Sequence, residues 1–438
     1  MSIQGARTWF PTARERPEGV ARLEPVVALA LVLVTGARIG VGFGLTLGLL
    51  AMVAFAPVWA RHLRHYRGAV TLVSALLLAI ASGLWLSARS AGSHTVVLNE
   101  VVSGAATVLT VLLGVVAFLW ARRFHPDWLV ATAFALGMFL AIRPSENFAS
   151  NAWRFGFSWP VTILALALLS RQRSRRPEIV GVAVLAAVSG VAGGRSPFAV
   201  MCIVLLLVLW QVRAPARSRG LAVVRGIVLG AGLAYAVYVV AQEAVLAGYL
   251  GADAQARSEL QIERSGSLIL GGRPEAAATW ALFRADPVGF GFGIRPSAGD
   301  IAVAKSGMIS INYDPENNYV EQYLFGNVFE LHSVVGDFWA WMGLAGVLLV
   351  LVFVIFVAVR ISVLVAEREA SALVLFVSIM TMWNVFFGPA LTSVPIAVLC
   401  LGLLLPRSTV DPVSSGGEGD RERLSPPMVR GRTANDQR

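Results

Sequence analysis

Apolar runs recur along the 438-residue chain from Pro25 to Leu405, most of them roughly 15 to 22 residues long, enough to cross a hydrocarbon core about 30 Å thick as a helix. In such a solvent every backbone N–H and C=O must be satisfied within the protein, so closed helices are the form these runs take. With 56% hydrophobic and only 14% charged residues, the composition excludes an ordinary soluble domain. The chain reads as an all-α polytopic membrane protein.

Apolar stretches bounded by Arg, Pro or Gly predict about 12 transmembrane helices, over 23–37, 40–60, 68–88, 101–121, 127–143, 155–170, 178–193, 197–212, 226–247, 337–359, 370–388 and 390–405. Threading them alternately sorts the charges. With the amino terminus inside, 25 of the 36 basic residues fall on that side, among them Arg61, Arg64, Arg122, Arg123, Arg171, Arg175, Arg176, Arg360 and Arg368. This is the bias of the positive-inside rule, and it sets both chain ends in the cytoplasm of a multi-pass plasma-membrane protein. The formal charge of +10 is then a topology signal facing anionic membrane lipids, and nucleic acid is not an expected partner.

The predicted organisation is a cytoplasmic segment 1–22, membrane helices 1–9 over 23–247, a large external loop 248–336, helices 10–12 over 337–405, and a disordered cytoplasmic tail 406–438 rich in Pro, Gly, Ser, Arg and Glu. The first 22 residues lack a short apolar core with a small-residue cleavage site, so no removable signal peptide is expected. Cys202 and Cys400 lie in different apolar spans and read as small buried hydrophobes.

The loop between helices 9 and 10 is the informative segment, because ordering so much backbone must be offset by packing or function. Pro274 and Glu275 predict a helix start, and the helix runs to Arg284. Gly289-Phe290-Gly291-Phe292-Gly293 reads as a flexible turn whose backbone approaches a ligand; it follows no strand, so a dinucleotide site is not indicated. Tyr313, Tyr319, Tyr323 and Phe325 alternate with Asn317, Asn318, Glu321 and Gln322. That mixture fits sugar faces and hydroxyls, and equally an amphipathic helix at the membrane interface.

Two of the five histidines, His94 and His332, fall on the external side. His332 precedes Trp339 and Trp341, whose rings favour the headgroup level, so its imidazole is expected at the outer surface, as a base for a hydroxyl or as a bystander. Arg195, at the turn between two apolar helices, either snorkels to the interface or holds a pyrophosphate with its planar fork. No His-Glu-x-x-His, Cys/His cluster or close acidic set is present outside, so neither a metal site nor a cofactor is expected.

Taken in order, these residues resemble the O-antigen ligase and polymerase superfamily of membrane glycosyltransferases. Three motifs carry the resemblance: Gly194-Arg195-Ser196-Pro197 between two helices; Gly271-Gly272-Arg273, Trp280 and Asp286-Pro287-Val288-Gly289-Phe290-Gly291 in the loop; and His332 with Gly343 and Gly346 leading into an apolar helix. Ser333 stands where the family has Asn, and Trp341 where an acid is common.

The resemblance implies metal-independent transfer of a polyprenyl-pyrophosphate-linked glycan to an acceptor hydroxyl on the extracytoplasmic side. It implies His332 as general base and Arg195 and Arg273 on the pyrophosphate, with Arg284 as a weaker second contact. Asp337 could orient the imidazole, and Tyr319 and Tyr323 could line the sugar. Polymerisation of a surface polysaccharide is the expected outcome: of 36 basic residues only Lys305 is Lys, the mark of a GC-rich genome. A ligase attaching chains to a glycan, lipid or protein acceptor stays open, as does a lipid-linked saccharide flippase, although no internal repeat or paired broken helices are evident.

Overall fold

The structure, a computed structural model, describes residues 18–172, 174–212, 273–316 and 320–408, with scattered positions between 228 and 263. Among the described residues the helices are α1 Glu18–Ala37, α2 Leu47–Ala54, α3 Ala56–Trp59, α4 Ala69–Ser90, α5 Leu98–Arg122, α6 Asp127–Leu140, α7 Glu146–Ser150, α8 Ser158–Ser170, α9 Arg176–Val191, α10 Arg195–Trp210, α11 Glu275–Ala285, α12 Ala298–Ile309, α13 Val334–Glu367, α14 Ala372–Phe387 and α15 Ala390–Leu404. Four helical stretches are long and apolar enough to cross a membrane: Ala69–Ser90, Leu98–Arg122, Trp153–Ser170 and Val334–Glu367. Leu23–Ala37, Asp127–Leu140, Ser196–Trp210, Ala372–Phe387 and Ala390–Leu404 are shorter apolar helices.

One expected span differs from this picture. Over 40–60 the chain forms a small antiparallel hairpin, β1 Gly40–Gly42 with β2 Leu45–Thr46, and then the short helices α2 and α3. The reason is local: Gly42, Phe43 and Gly44 all have positive φ, and the Thr46 side chain caps α2 by accepting from Leu49 N. Apolar composition alone could not distinguish this from one continuous helix. The expected span 226–247 falls mostly outside the described residues, as do the segment 1–17 and the tail beyond Ser408.

Helix α5 is the centre of the bundle, packed against α1, α2, α4, α6 and α15. The outer faces are apolar: α13 exposes Leu344, Leu348, Leu351, Val352, Ile355 and Val359, and α4 exposes Leu77, Leu78, Leu84 and Trp85. Water penalises such continuous apolar faces and a hydrocarbon solvent does not, so the surface as well as the interior fits a helical membrane protein.

Contacts divide the bundle into two ends. At one, Arg61 pairs with Glu24, Arg122 bonds Gly402 O and Leu405 O, and Arg175 bonds Arg368 O and Ala370 O. Gln211 also bonds Ala370 O, and Arg407 bonds Arg122 O. At the other, Val96 bridges Ile294, His94 meets Asp300, Arg38 bonds Leu391 O and Asp337 bonds Ala390 N. The loops that alternate threading assigns to one side therefore touch one another, and the described parts of 248–336 pack onto the opposite, loop end.

Candidate functional site

Helix α13 is interrupted at Gly343, whose φ of 63° and ψ of −148° are not helical. Such a break frees carbonyls of the preceding turn, and other elements take them up. Phe290 N and Gly291 N both donate to Ala340 O at 2.9 Å, and Ser82 Oγ donates to Met342 O at 3.0 Å. A Cβ at Gly343 would lie 2.3 Å from Val288 O, so only glycine allows both the backbone angle and the approach.

The same contacts revise the expected role of the glycine-rich turn. Phe290 O accepts from Ser90 Oγ, Phe292 O from Ser87 Oγ and Gly293 O from Val97 N, so the turn is clasped between α4, α5 and α13. It is a structural clasp, because its backbone approaches the neighbouring helices closely. Gly291, with φ of 108°, would place a Cβ 2.3 Å from Ser87 N. Gly291→Ala is therefore expected to cost at least about 2 kcal/mol and to loosen the loop from the bundle. A lowered melting temperature in detergent together with faster proteolysis after α11 would show it; unchanged melting would contradict the clasp.

Trp339 and Trp341 are also inside this clasp. They are 2% and 5% exposed, and their indole N–H groups donate to Pro287 O and Phe329 O. Phe290 stacks on Phe329 with centroids 4.0 Å apart and meets Trp339 edge-on. The rings are thus core, and carbonyls nearby pair their indoles without water.

The clasp supports the segment that carries His332. Asp337, 1% exposed, accepts from Leu331 N at 2.6 Å and from Ala390 N at 2.7 Å. One carboxylate thereby fastens the loop to the turn between α14 and α15. Its partners are backbone groups on either side, while the His332 imidazole has its Nδ1 3.1 Å from Glu330 O. Asp337 acts by fixing the main chain beside His332. Ser333 caps α13 by accepting from Gly336 N.

His332 has φ of 53°, a left-handed conformation uncommon for a side-chain-bearing residue. Such backbone persists where surrounding contacts over-determine it, here the Asp337 bond and the Ser333 cap. A carbonyl only accepts, so in neutral His332 the Nδ1 carries the hydrogen and the lone pair lies on Nε2. The side chain is half-buried.

Arg273 enters the same neighbourhood from the segment just before α11. Its guanidinium lies 5.7 Å from the ring centroid of Phe387, the last residue of α14, three residues before the Ala390 N–H that Asp337 holds. Arg195 begins α10, which packs along α14, and Gln211 beyond the far end of α10 bonds Ala370 before the start of α14. The two helices are therefore antiparallel, and Arg195 sits at the Phe387 end; its side chain is outside the described residues.

Arg284 is not part of this group. It lies in the last turn of α11, nine residues and about 14 Å along the axis from the helix start at Glu275, and is exposed. Tyr323 is 58% exposed in the short turn Val320–Leu324, and Tyr319 lies outside the described residues. Arg195, Arg273, Asp337 and His332 all lie at the loop end of the bundle.

Sequence reasoning passed over Glu330 and Glu100. Burial pushes the Glu330 carboxyl up; the charge of His332 opposes this and that of Glu100 adds to it. No motif singles out Glu330, although its place two residues before His332 was a usable signal. His94 likewise bridges Ser93 Oγ and Asp300, which completes a capping box with Ser297 at the start of α12. Among the described residues no group of three or more His, Cys, Asp or Glu side chains could hold a metal ion. The arrangement can accept a proton at an imidazole, with arginine at the same end for an anion. Comparison with family models, with curated proteins and with solved structures finds no match.

Proposed function

We propose that the chain is a membrane glycosyltransferase that moves a glycan from a polyprenyl-pyrophosphate carrier to an acceptor hydroxyl, at the end of the bundle covered by the large loop. The observation that carries the reading is His332, held in a left-handed conformation beside the buried Asp337 clamp, with its Nδ1 turned to Glu330 O so that Nε2 is the ring nitrogen that can take a proton. In the reaction Nε2 takes the proton of the acceptor hydroxyl as its oxygen attacks the anomeric carbon. The bond from that carbon to the pyrophosphate oxygen breaks, and the pyrophosphate leaves on its lipid. Arg273 and Arg195 supply cationic donors for the charge that develops there. The site then faces the extracytoplasmic side, and the basic end faces the cytoplasm.

Polymerisation of a surface polysaccharide is the form of the reaction we favour. Deleting the gene in its host and sizing both surface glycan and lipid-linked pool tests it. Single repeat units displayed outside, without long chains, are the expected result; long chains left on the lipid would turn the reading to a ligase. Repeat units trapped on the cytoplasmic side would overturn it in favour of a flippase.

A further inference from the structure

Arg38 directly follows the last residue of α1, in a left-handed conformation with φ of 47°, a place where helices commonly put glycine. Its backbone is fixed on both sides. Before it, a Cβ on Gly36 would lie 2.3 Å from Phe134 O, so α1 and α6 touch backbone to backbone. After it, Leu47 N donates to Ile39 O at 2.8 Å and closes the β1–β2 hairpin. The half-buried side chain donates from Nη2 to Leu391 O at 3.3 Å. That carbonyl needs a donor from outside α15, because its helical partner four residues on is Pro395, which has no N–H.

One donor satisfies a carbonyl, and a serine, threonine or asparagine supplies it without setting a charge at the edge of a membrane helix. Arginine brings five donors and a charge, more than Leu391 O uses. Burial pushes the guanidinium down from the ordinary arginine value, and it stays cationic. Its place gives that charge a use, because three side chains meet the turn between α14 and α15. Arg273 lies over Phe387, Asp337 accepts from Ala390 N, and Arg38 donates to Leu391 O. Phe387 and Leu391 are four residues apart, at most about 14 Å even in an extended chain, a span that two arginine side chains can close between them. Asp337 also holds Leu331 N, in the residue before His332. Arg38 is thereby joined to the His332 segment through Leu391, Ala390 and Asp337.

We infer that Arg38 is a further binding residue for the polyprenyl-pyrophosphate donor, contacting its phosphate oxygens from the other end of the turn from Arg273. The inference rests on the transferase reading above. Leu391 O holds one arm of the fork, and the planar geometry of a guanidinium lets its other donors serve a phosphate at the same time.

Binding of polyprenyl pyrophosphate to the full chain in detergent tests this, with the uncharged polyprenol of equal length as the second probe. Arg38→Gly and Arg38→Asn both suit the left-handed backbone and remove the charge, whereas Arg38→Lys keeps it. Arg295→Gln removes an exposed charge of the same end, beside the α4–α5 turn. The expected result is affinity for the pyrophosphate about tenfold weaker in Arg38→Gly and Arg38→Asn, largely restored in Arg38→Lys and unchanged in Arg295→Gln, with polyprenol binding unaltered throughout. In transfer assays the neutral variants then raise KM for the donor and keep kcat. Unchanged pyrophosphate affinity in both neutral variants, with Arg273→Ala weakened, overturns the inference and leaves the transferase reading standing, since Arg38 then serves Leu391 O alone. Equal weakening in Arg295→Gln, or an equal loss of polyprenol binding, also overturns it, because diffuse charge or a damaged fold then explains the effect. Wild-type protein that binds the pyrophosphate no better than the polyprenol overturns the transferase reading itself, and the role of Arg38 with it.

Discussion

Replacing His332 by alanine is expected to abolish glycan transfer, lowering turnover by at least about a hundredfold, the scale of a lost general base, while the protein stays folded in the membrane. The imidazole is half-buried on a loop, and its Nδ1 bond goes to Glu330 O; the segment is held by Asp337 through Leu331 N and by the Ser333 cap. Alanine leaves those supports intact, so a chemical loss separates from a folding loss. Arg273→Ala should behave differently, raising KM for the lipid-linked donor about tenfold, as expected for one hydrogen bond to a charged group. Transfer by membranes carrying each variant, measured against lipid-linked donor concentration, distinguishes the two. Near wild-type turnover in His332→Ala would remove the mechanism.

Arg122→Ala is expected to be the most damaging single change to stability, by about 3 kcal/mol or more. Its side chain is 7% exposed and bonds Gly402 O at 2.6 Å, Leu405 O at 3.0 Å and both oxygens of Asp127. The alanine leaves two carbonyls at the end of α15 without their donor, each costing about 1–3 kcal/mol when buried. Asp127 contributes less, since at 45% exposure water can replace the arginine. Arg122→Lys keeps the charge but loses the fork that reaches carboxylate and carbonyls together, so it should restore only part of the loss. Thermal unfolding in detergent orders the three proteins; an unchanged melting temperature in Arg122→Ala would show that the basic end is held by other contacts.

These two changes probe opposite ends, and they differ in how far the sequence foretold them. Arg122 was legible as one of many arginines on one side, but its role in closing α15 depends on a partner some 280 positions away. His332 was legible through its spacing to Gly343 and Gly346, whereas its left-handed backbone was not. Glu100 escaped notice because its approach to Glu330 arises from packing between α5 and the loop.

The sequence by itself determined the class of molecule, the sorting of its loops into a basic end and a loop end, and the start of α11 beside Pro274. Hydropathy, arginine placement and capping act over consecutive residues, so they can be summed along a window without knowing the fold. Only the tertiary structure decided that residues 40–46 make a hairpin, that Trp339 and Trp341 are core, and that the glycine-rich turn clasps three helices. It also decided that Asp337 binds backbone on two separate elements. Each of those outcomes depends on which carbonyl or N–H a distant segment presents, and composition cannot encode that, because a backbone group is the same in every residue.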